Sequence, residues 1–343
     1  MARQPRSYVR PVEVIVPYAL VVVALVGGSF AAPGFLSTNH LSSLGQSAAY
    51  VGIIAIGQTL VLLLGGIDLS VPYMINFAAV LVAGFQFHGM SQTTDIVYVL
   101  LIGAGIGLAN GVGVAFLGIS PLVMTLGMNS VLQGASLLYT HGSPIGQAPA
   151  FVTTLSTGWW HQIPYVDLMW LALTVIVTLV LVFTTFGRSL YAIGSNRRAS
   201  ELSGLPVRRT IVLAYVLSAL AATVGGLLLV GYSGQAYLGM GDEYLLPAIA
   251  VVVIGGTSIF GGKGSYVQTV AGALLITVIE SVLVTVNVDQ AGQDILYGAI
   301  ILAMAFLNQV AVSGGGARLG SLGSRFGPFK GWLQPVQSRA EPE

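Results

Sequence analysis

Ten apolar runs partition this chain, and no other feature restricts its fold so strongly. They lie at 14–32, 47–64, 71–87, 96–117, 121–140, 166–185, 211–231, 245–260, 266–288 and 294–312. A helix needs about 20 predominantly apolar residues to cross a bilayer, and most of the runs meet that length. Those at 71–87 and 245–260 are short and bounded by glycine pairs or polar breaks, so eight or nine spans also fit. Charged residues make up only 7% of the 343, against roughly 25% in a soluble domain. So few charges cannot cover a water-soluble protein of this length. The fold class is an all-α polytopic membrane protein with about ten transmembrane helices. The 45 glycines suit helices that approach closely in lipid.

Charge then sets orientation. The polar stretch 186–210 holds Arg188, Arg197, Arg198, Arg208 and Arg209 between two apolar runs, and Lys and Arg are retained on the cytoplasmic side. With both termini cytoplasmic, all 13 Lys and Arg fall in the tails or in the loops near 65–70, 118–120, 187–210 and 261–265. The outer loops instead hold Asp95, Asp167, Asp242, Glu243 and Asp289. One membrane domain is expected: a cytoplasmic tail at 1–13, a helical bundle at 14–312 and a flexible basic tail at 313–343 that anionic lipid attracts. The first run, ending Ser29-Phe30-Ala31-Ala32, imitates a secretory signal peptide and is read as an uncleaved first span. Trp159, Trp160 and Tyr165 in the long outer loop 141–165 suit the headgroup level, so a re-entrant or surface-lying segment is expected there.

Inside the basic stretch, Asn196 can cap a short helix, Arg197 to Ser203, with Gly204 past its end and Pro206 stopping any continuation. Ala199, Leu202 and Leu205 recur every three residues and are expected on one face. A rod this short is marginal alone in water. It packs either on its own membrane domain or on a cytoplasmic partner.

Other motifs place polar groups within the apolar runs. In GGIDLSVP at 65–72, the glycine pair ends a helix, Ser70 can cap the next, and Pro72 fits its first turn. Asp68 would sit beside the positive end of that helix, either as a tight cytoplasmic turn or as a broken-helix element by a transport path. Gln58, Asn76, Asn110 and Asn129 suit interhelical hydrogen bonds or the path itself. Glu280 falls near the middle of the run 266–288, where a charge costs roughly 2.5–3.5 kcal/mol. It must face the bundle interior, neutral or partnered, as a path-lining or packing carboxyl. The stretch GGTSIFGGKGS at 255–265 lacks the spacing of a phosphate loop, and Lys263 is expected at a cytoplasmic hairpin tip. The four histidines, His40, His88, His141 and His161, fall in expected outer loops, no cysteine is present, and no catalytic or metal-ligating set is found.

Three stretches carry a resemblance: GQTLVLLLGGIDLSV at 57–71, FGRSLYAIGSNRRASELSGLPV at 186–207 and AIAVVVIGGTSIFGGKGS at 248–265. With them the chain resembles the ABC-type sugar permeases of the ribose/xylose/arabinose import branch, over roughly residues 40–306. The resemblance implies a bacterial inner-membrane subunit that works with a cytoplasmic ABC ATPase, an extracytoplasmic solute-binding protein and a second permease copy or paralogue. It implies no cofactor, metal or nucleic acid, with ATP bound by the partner. The short helix, with Asn196, Arg197, Arg198, Ala199, Glu201, Leu202, Ser203 and Gly204, matches the family's ATPase-contacting segment. Two stretches depart from the family pattern. GDEYLLPAIA at 241–250 stands where a sequence similar to GYELDAIAA is frequent, and Glu280-Ser281 stands where Asn-Gly is frequent. The substrate implied is a monosaccharide or related polyol. The alternative is an ion-coupled secondary transporter of a small polar solute, for which Glu280 is the one clearly mid-span acid.

Overall fold

A computed structural model describes residues 11–31 and 33–313. All ten apolar runs fold as helices, and shorter elements fill the connections. In chain order these are α1 Pro11–Ala31, α2 Thr38–Leu63, α3 Val71–Phe87, α4 Gln92–Ala115, α5 Pro121–Thr140 and α6 Ala150–Thr157. A small hairpin, β1 Trp159–Trp160 with β2 Ile163–Pro164, leads to α7 Tyr165–Phe183, α8 Thr185–Ser195 and α9 Arg197–Leu202. Then come α10 Val207–Ser233, α11 Leu245–Ile254, α12 Tyr266–Thr285 and α13 Gln290–Ser313. The chain through Ala305 forms one unit; the residues from Phe306 belong to a second, of which only the last turns of α13 are described. The first ten residues and the tail from 314 lie outside the described residues.

Among the described residues, eight helices are long and apolar enough to cross a membrane. The other two expected spans are shorter: α3 has 17 residues and α11 only 10, so α11 reaches about 15 Å. Both are short because chain outside the α-helix enters the bundle before each helix begins, an irregular segment ahead of α3 and turns with a 3-10 helix ahead of α11.

The first re-entry follows α2, which is buried without a break from Ala48 to Leu63. Gly65, at φ 79°, reverses the chain. The chain then climbs back beside α2 until Gln58 Nε2 donates to the Asp68 carbonyl at 2.8 Å. Hence α3 starts level with Thr125 and Asn129, well inside α5, rather than at its first residue Pro121. The second re-entry follows α10. Its connection was expected to stay outside with Asp242 and Glu243. Instead it dips until Gly239 N donates to Asn76 Oδ1 at 2.8 Å, and a 3-10 turn, Asp242–Tyr244, starts α11 there. Gly241 lies against the backbone of Pro72, so closely that a methyl group would strike the Pro72 carbonyl.

α10 is the hub, packed against α2, α3 and α4, and α4 meets it through Gly103, Gly107 and Gly111. Small residues at such crossings let backbones pack where lipid supplies no hydrophobic drive. α1 lies along α12, with Tyr18 Oη donating to the Val267 carbonyl at 3.0 Å and Gln268 Nε2 to that of Glu13 at 2.8 Å. Val23, Leu101, Leu138, Leu171 and Leu302 point outward, as lipid-facing residues do.

At one end of the bundle, Gly262 N donates to the Leu63 carbonyl at 2.9 Å and Tyr191 Oη to that of Gly264 at 2.9 Å. The exposed Lys263, the end of α2 and the basic stretch therefore share one end, as the charge rule requires. The other end carries α6 and the tryptophan hairpin. There Tyr50 Oη donates to the Ser156 carbonyl at 2.9 Å and Ser42 Oγ to that of Gln162 at 3.0 Å. Four acids and a histidine expected in outer loops sit elsewhere. Asp95 and Asp167 occupy the first turns of α4 and α7, Glu243 lies beside Asp242 in the re-entrant turn, and His40 is within α2.

Candidate functional site

The re-entrant backbone before α3 is held by the polar residues that the apolar runs made conspicuous. Asp68, 1% exposed, accepts at Oδ1 from Ser70 N at 3.0 Å and from Ser70 Oγ at 2.5 Å. Its Oδ2 accepts from Ser218 Oγ of α10 at 2.7 Å. Asn110 Nδ2 of α4 donates to Ser70 Oγ at 3.0 Å. Gln58 Oε1 accepts from Asp68 N at 3.3 Å, and Thr125 Oγ1 of α5 accepts from Leu69 N at 3.0 Å. Four helices thus satisfy a strand of non-helical backbone, the condition under which such backbone survives at membrane depth. Ser70 does not cap α3 as expected, because its hydroxyl is already committed to Asp68.

Asn76 and Asn129 flank α3 separately. Asn76 Nδ2 donates to Ser136 Oγ at 2.9 Å while its Oδ1 receives the Gly239 bond, so it ties the two re-entrant segments together. Asn129 Oδ1 accepts from Tyr73 N at 3.3 Å. The structure therefore gathers Gln58, Asp68 and Asn110 into one sealed cluster. Asp68→Ala should cost about 3 kcal/mol, the scale of lost hydrogen bonds to a charged group. Asp68→Asn should cost much less, since the Ser218 hydroxyl can turn to accept from the new amide. Thermal unfolding of the two variants in detergent checks this; equal losses would show that the acceptor geometry is not what holds the strand.

A cavity of about 180 Å³ opens between α2, α10, α12, α13 and the turn before α11. Glu280 of α12 borders it, together with Glu243 and Tyr244 of the turn. Ser43, Gln46, Ser47 and Tyr50 of α2, Tyr232 of α10, and Gln290 and Tyr297 of α13 complete its polar wall. The Tyr50 and Tyr232 rings meet at 5.6 Å between centroids. Of the six path candidates named from sequence, Glu280 lies on this cavity; Gln58, Asp68, Asn76, Asn110 and Asn129 stand behind it in the struts just described. Because α12 ends at Thr285, Glu280 sits towards the outer end of its helix rather than at mid-span. The two stretches that depart from the sugar-permease pattern, 241–250 and Glu280-Ser281, meet here. The tyrosines carried no signal of their own in the sequence, since each lies alone near the end of an apolar run.

The second surface is α9. Asn196 Oδ1 accepts from Ala199 N at 3.0 Å and caps it as expected. The helix ends at Leu202, one residue earlier than the sequence suggested. Arg197 and Arg198 pair with Glu201 at 3.4 and 3.6 Å, contacts at the surface that add little stability. Leu202 is 76% exposed, and in the helix only Ser200 is buried. The shared face expected for Ala199, Leu202 and Leu205 does not form. Gly204, at φ 75°, turns the chain so that Leu205 packs inward beside Ile193 and Val207, leaving Ala199 and Leu202 outside. α8, a helix the sequence left inside a polar loop, buries Leu190 and Ile193 and forms the platform beneath.

Residues 40–305 match the family described as branched-chain amino acid transport system / permease component. The chain is 34% identical over 296 residues to the ribose import permease protein RbsC of Bacillus subtilis, covering 85% of this chain and 92% of that one. It is 33% identical over 288 residues to the ribose import permease protein RbsC of Escherichia coli K12, covering 82% and 89%. It is 30% identical over 290 residues to the autoinducer 2 import system permease protein LsrD of Photorhabdus laumondii, covering 83% and 87%. No solved structure matches. With its apolar helices and its match over most of its length, the chain belongs to the branched-chain amino acid transport system / permease component family and is a multi-pass membrane permease of the plasma membrane.

Proposed function

We propose that this permease is the membrane subunit of an ATP-driven sugar importer. A cytoplasmic ABC ATPase docks on α9 through Asn196, Arg197, Arg198, Ala199, Glu201, Leu202, Ser203 and Gly204. An extracytoplasmic solute-binding protein delivers a monosaccharide or related polyol, and a second permease copy or paralogue completes the path. The observation that carries this reading is α9 itself: a capped rod on a buried platform, with its one large apolar side chain, Leu202, uncovered. A lone exposed leucine is ordinary on a protein surface; what supports docking is that the Asn196 cap and the buried face of α8 hold Leu202 outward in a fixed position.

Glu280 lies on the path, and the cluster of Gln58, Asp68 and Asn110, with Asn76 and Asn129, fixes the broken helices beside it. Discontinuous helices near a transport path let half-helices shift while their ends stay hydrogen-bonded. The ATPase supplies the energy, and this chain breaks no bond. The family description names branched-chain amino acids, but the cavity's described lining includes no Lys or Arg to meet an α-carboxylate. Its carboxyl groups, tyrosines and two amides suit sugar hydroxyls, and the relatives named for ribose support the same class.

Uptake tests the proposal. Cells carrying the permease, its ATPase and its binding protein should lose accumulation of a labelled sugar when the ATPase is inactivated, and keep it when the proton gradient is collapsed. The reverse pattern would make the chain an ion-coupled secondary transporter.

A further inference from the structure

We propose that the cavity beside α12 selects a sugar-sized polyol bearing a protonated amine, an amino sugar, over the corresponding neutral sugar. The inference rests on the reading of this face as the sugar path and adds the charge of the cargo.

Glu243 and Glu280 border the cavity from two different elements, the 3-10 turn before α11 and α12. Its described lining holds no Lys, Arg or His. His40 is engaged elsewhere, with Nε2 3.1 Å from Ser281 Oγ. Neither glutamate takes part in an ion pair among the described residues, where the pairs present join Arg197 and Arg198 to Glu201. Two carboxyl groups facing one cavity with no basic neighbour in its described lining disfavour each other's charged form, and a cationic occupant relieves that.

Tyr297 is an independent sign that something polar belongs here. It is 1% exposed, its hydroxyl has no hydrogen-bond partner, and it borders the same cavity. Buried polar groups of this kind are nearly always satisfied, so an occupant with its own donors and acceptors fits the vacancy in the bonding. Tyr50, Tyr232 and Tyr244 add ring surface. Aromatic faces attract an ammonium group electrostatically, and they also cover the C–H face of a sugar ring. Carboxylates accept hydrogen bonds from hydroxyl groups as well, so the ring's other substituents are accommodated by the same wall. A neutral sugar would use that wall but bring no charge to face the two carboxyl groups.

The test uses the purified full-length permease in lipid nanodiscs, at mildly acidic pH and low salt, with radiolabelled D-glucosamine and D-glucose in equilibrium dialysis. The inference expects glucosamine to be held about tenfold more tightly than glucose, the scale set by a partly desolvated charge pair with cation–π support. That preference should collapse towards onefold in Glu280→Gln and shrink as salt is raised. Tyr297→Phe should weaken glucosamine binding several-fold without lowering the unfolding midpoint, since the lost hydroxyl has no internal partner. Equal binding of the two sugars by the unaltered protein overturns the inference while the sugar-path reading stands. A preference that survives Glu280→Gln intact places the amine site elsewhere and also overturns it. Binding of neither sugar sinks the sugar-path reading together with the inference.

Discussion

Gly241→Val should abolish transport by preventing the two re-entrant segments from meeting. Gly241 rests on the Pro72 backbone, where any Cβ collides with a carbonyl oxygen, and its other neighbour is the Ile75 side chain. A flexible side chain could move aside, but the first turn of α3 is fixed by the Asp68 cluster behind it and by Asn76, which bonds to Gly239 on the opposing segment. Overpacking in a tight core costs about 1–3 kcal/mol, and more where backbone must move. Against a total stability of ~5–15 kcal/mol, that loss is concentrated at the junction of both broken helices. The expected result is little folded protein in the membrane and uptake below about a tenth of normal. Gly241→Ala should show a milder form of the same defect. Quantitative membrane blots beside uptake check it; a valine variant that is abundant and active would mean that the segments do not meet as described.

Leu202→Asp should produce the opposite combination, normal insertion with no transport. Leu202 is largely exposed and makes no contribution to the buried clusters, so its replacement has no packing cost. If α9 seats in the ATPase, a buried leucine replaced by a carboxylate should weaken that association by at least about 2 kcal/mol, roughly 30-fold. The expected outcome is unchanged abundance and melting, loss of the ATPase from the purified complex, and uptake near background. Gly204→Val should share the transport defect for a different reason, since φ 75° is strained for a β-branched residue and would shift α9 on its platform. Normal uptake by Leu202→Asp would remove α9 from the docking surface.

Much of this architecture was legible because its causes are local. Asn196 announces a helix start through a side chain that reaches three residues ahead, and it makes that bond. Apolar runs declare helices because the backbone of each is satisfied within itself. What the sequence could not show depends on partners far away in the chain. Whether GGIDLS makes a tight turn outside the bundle or climbs back into it is decided by Gln58, Thr125 and Ser218. Likewise the connection with Asp242 and Glu243 dips inward because Asn76 offers an acceptor. Leu205 matched a helical period but fell on the far side of a left-handed glycine, so periodicity placed it on the wrong surface. The cavity is a case of convergence: four tyrosines from α2, α10, α13 and the re-entrant turn meet two glutamates, and no local pattern links them.

The most direct test of the account is a photo-crosslinker placed at Leu202 in the assembled transporter, with controls at Lys263 on the neighbouring loop and at Trp160 on the far end. The account predicts an adduct between position 202 and the nucleotide-hydrolysing subunit, and none at 160. Crosslinks to that subunit from other surfaces, with position 202 reacting only with solvent, would contradict it.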